Sequence, residues 1–365
     1  MKFYLIGAGV IARSHAAAIR KLQISEKIEM KVADPNSNAL REFVSLFPEA
    51  AAYLDAESML ADEAGSDDIV IVCTPPFTHF DLASLALESG RHVLCEKPLV
   101  MNRQEANDLL KLAKKKNRLL GCCSDRFIGL SKTEKIKSLL DAEALGEIYK
   151  VTFVSRGQRG RPGIEYQPES KWFLDRSKAG GGIVMDWGPY DFALLNDIFK
   201  PKSVEVSAAW LSRPETERDP QNTIYDIEGH AGAMLKYDLG EKKIWVQYER
   251  ASCTHGKPYS LFEIEGTKGS IEWSPFYESD RFVYRKDKDG EISSEEMDIM
   301  NESQLDFMDL PIYYFYQKVM GEPSPAITNE QAVFNFLCLQ AIYDCAQSES
   351  VHKVSMNLES AQKMI

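Results

Sequence analysis

A glycine-rich turn separates the first strand-like run of the chain from the first helix-like segment. The run from Lys2 to Ile6 is apolar, and a helical period extends from Ile11 to Lys21. A strand that leads through glycines at this spacing directly into a helix is typical of dinucleotide-binding sites in parallel sheets. The alternative is a plain strand-turn-helix unit without a ligand. The residues of the turn that we expect to contact a dinucleotide are Gly7, Gly9, Val10, Ile11 and Ala12.

The small residues of this turn have separate physical roles. Gly7 permits the tight turn, and Gly9 lets the backbone approach the pyrophosphate. Ala12 keeps the helix close to the strand. The anionic pyrophosphate is then stabilised by free N–H groups at the positive end of the helix.

An acidic residue ends the second strand-like run. Asp34 follows Ala12 at close to the spacing of about 20 residues at which a carboxylate accepts hydrogen bonds from the adenosine ribose. A carboxylate at this place repels the 2′-phosphate of NADP, and no arginine comes directly after it. The sequence therefore favours NAD over NADP. The alternative is that Asp34 is an ordinary turn residue before Pro35.

Strand-like and helix-like segments alternate through the first third of the chain, which predicts a parallel sheet covered by helices on both faces. The predicted strands are Lys2 to Ile6, Ile28 to Ala33, Asp68 to Cys73, His92 to Cys95 and Leu119 to Cys123. The predicted helices are Ile11 to Lys21, Phe80 to Glu88 and Ala106 to Lys116.

The pattern changes after about Asp125, where runs with a period of two residues dominate. They predict a second, α+β domain with a large, mainly antiparallel sheet. Its predicted strands are Ile148 to Ser155, Val204 to Leu211, His230 to Tyr237, Lys243 to Arg250, Leu261 to Glu265, Ser270 to Trp273 and Arg281 to Arg285. Its predicted helices are Lys132 to Leu140, Gln304 to Met320 and Asn329 to Gln347, and the charged segment Lys286 to Glu296 is either a loop or an exposed strand.

Charge and cysteine content exclude several classes of protein. The 365 residues include 43 Lys and Arg against 55 Asp and Glu, a net charge of -12, so we expect no nucleic-acid partner and no anionic membrane partner. No apolar run approaches the length of about 18 residues that spans a membrane, and we expect a cytoplasmic protein. The seven cysteines show no C-x-x-C spacing, so we expect reduced, buried thiols and no metal site.

Two loops at strand ends carry further candidates. Lys97 follows the strand that begins at His92, so it lies at the carboxyl edge of the parallel sheet, where ligands bind in open α/β folds. A lone lysine in a loop is more often a solvated surface residue. His79 comes shortly after the Thr74-Pro75 turn of the preceding strand. It either faces a cofactor or caps the following helix.

Four segments resemble the signature segments of the glucose-fructose oxidoreductase / inositol dehydrogenase (Gfo/Idh/MocA) family. They are Thr74 to His79, Ser89 to Pro98, Gly180 to Asp191 and Glu263 to Gly269, and the match runs in order from residue 1 to past residue 270. The resemblance implies an N-terminal Rossmann NAD(P)-binding domain, over residues 1–124, and a C-terminal α/β domain for substrate binding and oligomerisation, over 125–365. Whether the terminal helices pack back on the first domain stays open. Family members mostly oxidise or reduce sugars, polyols and related carbonyl compounds with NAD or NADP.

The resemblance also implies roles for individual residues. Lys97 matches the active-site lysine of the family, and Asp186 matches the aspartate after the glycine triplet. Tyr190 stands where the inositol dehydrogenase branch has a catalytic histidine, so that mechanism does not transfer. A tyrosine there resembles the glucose-fructose oxidoreductase and dihydrodiol dehydrogenase branch, in which the phenol donates or accepts the proton. The candidate cofactor contacts from these segments are Thr74, Pro75, His79, Glu96 and Lys97.

Elementary chemistry agrees with this assignment. A tyrosine, with a reference pKa of about 10, can relay a proton near neutral pH when a cation lowers its pKa, and Lys97 is that cation. Asp186, four residues before Tyr190 on one helix face, would hold a substrate hydroxyl or orient Lys97. The alternative is that Asp186 is an ordinary acidic residue at the start of a helix and that Tyr190 is a packed aromatic ring.

Other residues of the second domain stay ambiguous. Arg156, Arg159 and Arg161 interleave with glycines and indicate either an anion site or a loop over a substrate cleft. Trp172 and Asp175 resemble the loop that borders the family's substrate pocket, and sequence does not show whether they touch substrate.

The leading interpretation is an NAD-dependent oxidoreductase that acts on a sugar-, polyol- or diol-like alcohol or carbonyl. The alternatives are a non-catalytic NAD-binding regulatory protein of the same fold and an NAD-dependent glycosidase. We place Trp245 and Tyr248 on the outer face of the second sheet, which no later helix obviously covers. This face predicts a homo-oligomer, a dimer or tetramer joined sheet to sheet.

Overall fold

The computed structural model describes residues 1–22, 28–165, 167–301 and 305–357. These residues form two compact units. The first comprises the described residues of Met1–Arg126 and Gln304–Phe336, and the second comprises those of Phe127–Ser303 and Leu337–Ile365. The last long helix, Asn329–Ser348, contributes to both units.

The described residues contain fifteen strands and ten α-helices. The strands are β1 Lys2–Ile6, β2 Glu29–Ala33, β3 Ala51–Tyr53, β4 Ile69–Val72, β5 His92–Cys95, β6 Leu120–Cys122, β7 Ile148–Arg156, β8 Ser203–Ser212, β9 His230–Asp238, β10 Lys243–Ala251, β11 Tyr259–Gly266, β12 Gly269–Trp273, β13 Arg281–Lys288, β14 Glu291–Asp298 and β15 His352–Ser355. The helices are α1 Val10–Lys21, α2 Ser37–Leu46, α3 Ala56–Leu60, α4 His79–Glu88, α5 Arg103–Lys116, α6 Ser131–Asp141, α7 Arg176–Ala179, α8 Ile183–Phe199, α9 Leu310–Val319 and α10 Asn329–Ser348. Short 3-10 turns span Pro76–Thr78 and Lys171–Leu174.

The first unit is built on a parallel sheet of six strands in the order β3-β2-β1-β4-β5-β6. The order reverses between β1 and β4, and a reversal of this kind opens a crevice at the carboxyl ends of the strands. This sheet confirms the predicted parallel architecture. The sequence prediction lacked β3, which has only three residues, two of them alanine.

Buried apolar strands and small helix residues form the core of the first unit. Phe3 and Leu5 of β1 are fully buried, as are Ala12 and Ala16 of α1, so the helix packs closely on the strand. Phe315 of α9 joins the same core cluster. The predicted helix from Gln304 to Met320 therefore exists from Leu310 to Val319, while Gln304 lies outside the described residues.

The second unit contains a sheet of nine strands in the order β14-β13-β12-β11-β7-β10-β9-β8-β15. All neighbouring pairs are antiparallel except β7 and β10, which run parallel. The predicted large, mainly antiparallel sheet is confirmed. The ambiguous charged segment forms the end of β13 and most of β14, an edge strand that pairs along its whole length with β13.

Helix α8 covers one face of the sheet in the second unit, and β10 shows which residues face it. Trp245 is 43% exposed, whereas Tyr248 is 1% exposed and donates a hydrogen bond from its hydroxyl to Asp191 Oδ2 of α8 at 2.9 Å. The prediction that both rings lie on the outer face is thus wrong for Tyr248. Residues three apart on a strand point to opposite faces, so only one of the two can face outward.

Thiol burial agrees with a further expectation. All seven cysteines are buried and free of disulfides. Burial raises the pKa of the Cys122 thiol to about 12, so this group stays protonated at neutral pH. Within the described ranges, no helix has the length and apolar character needed to cross a membrane.

Candidate active site

The glycine-rich turn has the backbone geometry that a bound pyrophosphate requires. Gly7 has φ +104°, and a Cβ there would lie 2.7 Å from the carbonyl oxygen of Cys73, so only glycine fits. A Cβ on Gly9 would meet no atom within 4 Å, which leaves open space above the backbone. Gly9 is the N-cap of α1, and no side chain among the described residues caps this end. The turn and the helix N-terminus therefore fit a dinucleotide phosphate.

Asp34 stands directly beside this turn. Its Oδ2 accepts a hydrogen bond from the Ala8 backbone N–H at 2.8 Å, and its Oδ1 accepts one from the Asn36 N–H at 2.8 Å. Each carboxylate oxygen has a second lone pair. Asp34 thus orders the turn and retains acceptor capacity for ribose hydroxyls.

His79 joins the two loops that follow β4 and β5. Its ring is fully buried, with Nδ1 at 2.8 Å from the Pro98 carbonyl and Nε2 at 2.8 Å from the Thr74 carbonyl. Burial lowers the pKa of His79, whereas the two carbonyl acceptors act in the opposite direction, because only the protonated ring can donate from both nitrogens. The imidazole therefore fixes the position of the loop that carries Lys97 relative to the Thr74-Pro75 turn.

Glu96 is a buried carboxylate that holds the backbone of Lys97. Its Oε2 accepts the Lys97 backbone N–H at 3.0 Å, and its Oε1 lies 2.8 Å from His15 Nε2 and 3.1 Å from Arg126 Nη2. Burial by itself would raise the pKa of Glu96, but Arg126 and His15 lower it to about 2. An ionised carboxylate only accepts, so His15 Nε2 carries the proton.

The same place holds the one cluster of possible metal ligands found among the described residues. His15 Nε2, Glu96 Oε1 and Cys123 Sγ lie within 4.8 Å of one another. The Arg126 guanidinium already pairs with the Glu96 oxygen, and burial raises the pKa of Cys123 well above its usual value. A cation and a thiolate are both disfavoured there, so these residues do not fit a metal ion.

The glycine triplet of the second unit packs tightly against a buried acid. A Cβ on Gly182 would clash with the Glu228 carbonyl, and one on Gly181 would clash with the Tyr343 hydroxyl. Glu228 Oε1 accepts hydrogen bonds from the N–H groups of Gly182 (2.9 Å) and Val184 (3.2 Å) and from the Tyr343 hydroxyl (2.7 Å). Glu228 therefore caps the N-terminus of α8 and fixes the start of this helix.

Helix α8 carries both acid–base candidates of the second unit. Asp186 lies in its first turn and Tyr190 follows one turn later, and both side chains are buried. The Tyr190 ring makes edge contacts with Phe127 and Trp187, with centroids 5.6 and 5.9 Å apart. Lys97 lies after β5 in the first unit. The structure thus brings Asp186 and Tyr190 together on one helix.

A buried ion pair ties α8 to the sheet beneath it. Asp191 accepts hydrogen bonds from Arg250 Nε at 2.7 Å and Nη2 at 2.5 Å. Burial disfavours the charge of the guanidinium, yet Asp191 raises the pKa of Arg250. The guanidinium also stacks on the Trp187 ring at 5.0 Å. Sequence reasoning missed this pair, although the inward position of Arg250 in the alternation of β10 was a usable signal.

The remaining candidates of the second unit form separate local contacts. Arg156 pairs with Glu249 at 3.3 Å, and Arg161 pairs with Glu165 at 2.7 Å. Asp175 caps the short helix α7 through the Ser177 N–H at 3.0 Å. Two of the three arginines in this loop are thus neutralised by carboxylates.

Trp172 stacks on Phe173, with ring centroids 3.8 Å apart. The third arginine of the loop, Arg159, has φ +59°.

A parallel sheet with an open glycine turn and an acid at the end of β2, followed by a unit with a large open sheet, defines a class of NAD-binding oxidoreductases. Residues 1–122 match the family model described as "Oxidoreductase family, NAD-binding Rossmann fold", and residues 133–272 match the "GFO/IDH/MocA C-terminal domain". The chain belongs to the Gfo/Idh/MocA family of oxidoreductases, as the sequence segments predicted.

Individual relatives agree with this family. The "Myo-inositol 2-dehydrogenase" of Thermotoga maritima is 23% identical over 90% of this chain and 91% of its own length. The "Uncharacterized oxidoreductase YfiI" of Bacillus subtilis is 26% identical, but the match covers only 60% of this chain and 56% of that protein. A solved structure of levoglucosan dehydrogenase with NADH and levoglucosan has a TM-score of 0.77 at 22% identity, over 97% of this chain and 99% of that one, and shows the shared fold.

Proposed function

We propose that this oxidoreductase transfers a hydride between NAD and a hydroxyl-bearing carbon of a sugar-like or cyclitol-like substrate. The observation that carries the proposal is the placement of Asp186 and Tyr190, an acid and a phenol one turn apart on a helix whose start is fixed by Glu228. The relatives named as acting on inositol and levoglucosan support the substrate class.

NAD, when bound, supplies the hydride-accepting or hydride-donating carbon of nicotinamide. Gly7 and Gly9 would hold its pyrophosphate, and Asp34 would accept hydrogen bonds from its ribose. The Thr74-Pro75 turn and the Lys97 loop, which His79 joins, would border the nicotinamide half. The charge of Asp34 favours NAD over NADP.

Three side chains would perform the proton chemistry. Tyr190 takes the proton of the substrate hydroxyl during oxidation and returns it during reduction. In this proposal Lys97 is the cation that makes the phenol more acidic. Asp186 accepts a hydrogen bond from a substrate hydroxyl and so orients the reacting carbon. Glu96 holds the backbone N–H of Lys97, and His15 orients the Glu96 carboxylate.

The oligomeric state of the protein is part of the same proposal. Trp210, Met234 and Trp245 are 45%, 39% and 43% exposed on neighbouring strands of the second sheet. We propose that this face joins two copies of the chain, in a dimer or a tetramer.

The cellular location is also part of the proposal. The seven free thiols support a reducing, cytoplasmic location.

A nicotinamide absorbance assay tests the function. The protein is incubated with NAD and a panel of pyranoses, inositols, diols and open-chain polyols. Formation of NADH with a ring-bearing or polyol substrate is expected. Glycoside cleavage without net NADH formation would instead identify a glycosidase, and NAD binding without turnover of any panel member would indicate a regulatory protein.

A further inference from the structure

A group of aromatic side chains adjoins Tyr190 within the second unit. Phe127 stacks on Phe276 with centroids 5.4 Å apart, and Trp187 meets Tyr277 at 5.0 Å with an angle of 52° between the rings. We call Phe127, Trp187, Phe276 and Tyr277 the aromatic corner. Tyr190 contacts two of its members, Phe127 and Trp187, through ring edges.

The aromatic corner is not a closed core. Tyr277 is 41% exposed, and Trp187 and Phe276 are half-buried. Arg250 Nη1 donates to the Tyr277 hydroxyl at 3.3 Å, so the polar end of that residue is directed at a nearly buried guanidinium. The ring is left to supply the exposed surface. Flat apolar surface beside a candidate acid–base group is what a ligand subsite offers.

Two cationic side chains contact the aromatic corner and help to fix its rings. The guanidinium of Arg250, paired with Asp191, stacks on Trp187 at 5.0 Å. Lys132 Nζ donates to the Ser274 carbonyl at 3.1 Å and to the Ser279 carbonyl at 2.6 Å.

Lys132 therefore closes the loop between β12 and β13 that carries Phe276 and Tyr277. Its ammonium also lies 5.1 Å from the centre of the Phe276 ring. Arg250 fixes Trp187, and Lys132 fixes the loop that carries Phe276 and Tyr277. The aromatic surface is therefore formed before a ligand binds, and little conformational freedom is lost on binding.

The shape and chemistry of the corner select among hydroxylated substrates. A closed six-membered ring presents a face of C–H groups, while its hydroxyls point outward around the rim. Such a face packs on aromatic rings, and the rim hydroxyls remain available to Asp186 and Tyr190. An open-chain polyol has no lasting apolar face and loses more rotational freedom on binding.

We propose that the aromatic corner is the subsite for the C–H face of a cyclic sugar or cyclitol, so that the enzyme selects ring-closed substrates over open-chain polyols. This inference rests on the proposed function, because it takes Tyr190 as the group at the reacting carbon.

The test compares ring-closed and open-chain substrates in variants of the corner. Trp187→Leu and Tyr277→Leu remove aromatic faces, Trp187→Phe keeps one, and Tyr149→Leu removes an exposed aromatic ring at the start of β7 as a matched control. Methyl glucopyranoside and myo-inositol are compared with sorbitol by steady-state kinetics. Each leucine variant should lower kcat/KM for the ring substrates by about 10-fold more than it lowers kcat/KM for sorbitol. Trp187→Phe and Tyr149→Leu should retain the ring preference, and circular dichroism verifies that each variant folds.

A binding experiment separates this inference from the proposed function. Saturation-transfer NMR on the NADH-loaded protein should show transfer to the ring C–H protons of myo-inositol or methyl glucopyranoside, and Trp187→Leu should raise the ligand concentration that gives half-maximal transfer by about 10-fold. If no panel compound is oxidised yet this transfer is seen and weakened as expected, the proposed chemistry fails and the subsite stands. Turnover of ring substrates that both leucine variants leave unchanged, or absence of saturation transfer in the wild-type protein, would overturn the subsite.

Discussion

The Ala8 backbone N–H donates a hydrogen bond to Asp34 Oδ2 at 2.8 Å. This contact joins the end of β2 to the glycine-rich turn after β1. As an acceptor the carboxylate orders the turn. We propose that its charge has a second, separable role, which is to discriminate between NAD and NADP.

The coenzyme prediction separates these two roles of Asp34. Asp34→Asn keeps an acceptor for the Ala8 N–H but removes the charge that repels a 2′-phosphate. We expect it to narrow the preference for NADH over NADPH by about 10-fold, while Asp34→Ala also weakens the binding of both coenzymes. Fluorescence titration of the apo protein measures the affinities. A wild-type preference for NADPH would contradict the assignment.

The buried Asp191–Arg250 pair makes a prediction about stability. Arg250→Met leaves the Asp191 carboxylate buried without its cation, so the variant should lose about 3–5 kcal/mol of unfolding free energy. The matched control is Lys150→Met, which breaks the more exposed Lys150–Glu265 pair and should lose less than about 1 kcal/mol. Urea unfolding of both variants provides the values. Equal losses would show that burial of the pair does not matter.

Asp125 predicts how stability depends on pH. It is buried after β6, its Oδ2 lies 3.4 Å from the Ile327 backbone nitrogen, and its Oδ1 has no hydrogen-bond partner in the described part of the chain. Burial raises the pKa of this carboxyl to about 7, above the value of about 3.9 in unfolded chains. The folded state therefore holds the proton that the unfolded state releases, and the contribution of Asp125 to the free energy of unfolding falls as pH rises from about 4 to about 7.

Asp125→Asn removes the free-energy cost of ionising this buried carboxyl group. We expect the variant to match the wild type near pH 4 and to be more stable at pH 8, by at most about 4 kcal/mol at about 1.4 kcal/mol per pKa unit. Thermal unfolding at several pH values measures the difference, with the exposed Asp289→Asn as the control. A variant that is less stable than the wild type at pH 8 would show that the Asp125 carboxylate is compensated in the folded protein.

The exposed face of the second sheet predicts self-association. Trp245→Glu places a charge among the apolar side chains of that face and should lower the mass measured by light scattering to that of a monomer. Ile292 lies on the edge strand β14 and is more exposed than Trp245. Ile292→Glu is therefore the control, and it should leave the measured mass unchanged. A wild-type protein that is already monomeric at micromolar concentration would refute the interface.

Local patterns in the sequence were sufficient to predict most strands and helices. The first five predicted strands agree with β1, β2, β4, β5 and β6 to within a residue or two because buried parallel strands are continuous apolar runs. Strand β14, Glu291–Asp298, has charged side chains at four of its eight positions and no buried residue, so its pairing with β13 leaves no apolar alternation in the sequence. The parallel pairing of β7 with β10 joins segments almost a hundred residues apart and has no local signature.

The candidate site divides in the same way. The roles of Gly7 and Asp34 follow from their spacing along one strand-turn-helix unit. The contacts of Glu96 with His15 and of Glu228 with Tyr343 join residues separated by 81 and 115 positions, so no local pattern indicates them. The sequence prediction put Tyr248 on the outer face together with Trp245. Side chains alternate along a strand, however, so these two residues, three apart, lie on opposite faces.

Kinetics of the Tyr190→Phe variant test whether the Tyr190 phenol relays the proton. The substitution keeps the ring that packs on Phe127 and Trp187 but deletes the hydroxyl. NADH formation is measured for the wild type, Tyr190→Phe, Lys97→Met and the double variant on any accepted sugar or cyclitol. We predict that Tyr190→Phe lowers kcat by about 100-fold or more with almost unchanged NADH affinity, and that the losses in the double variant are far from additive because the two residues act as a unit. Near-wild-type turnover in both single variants would contradict the account.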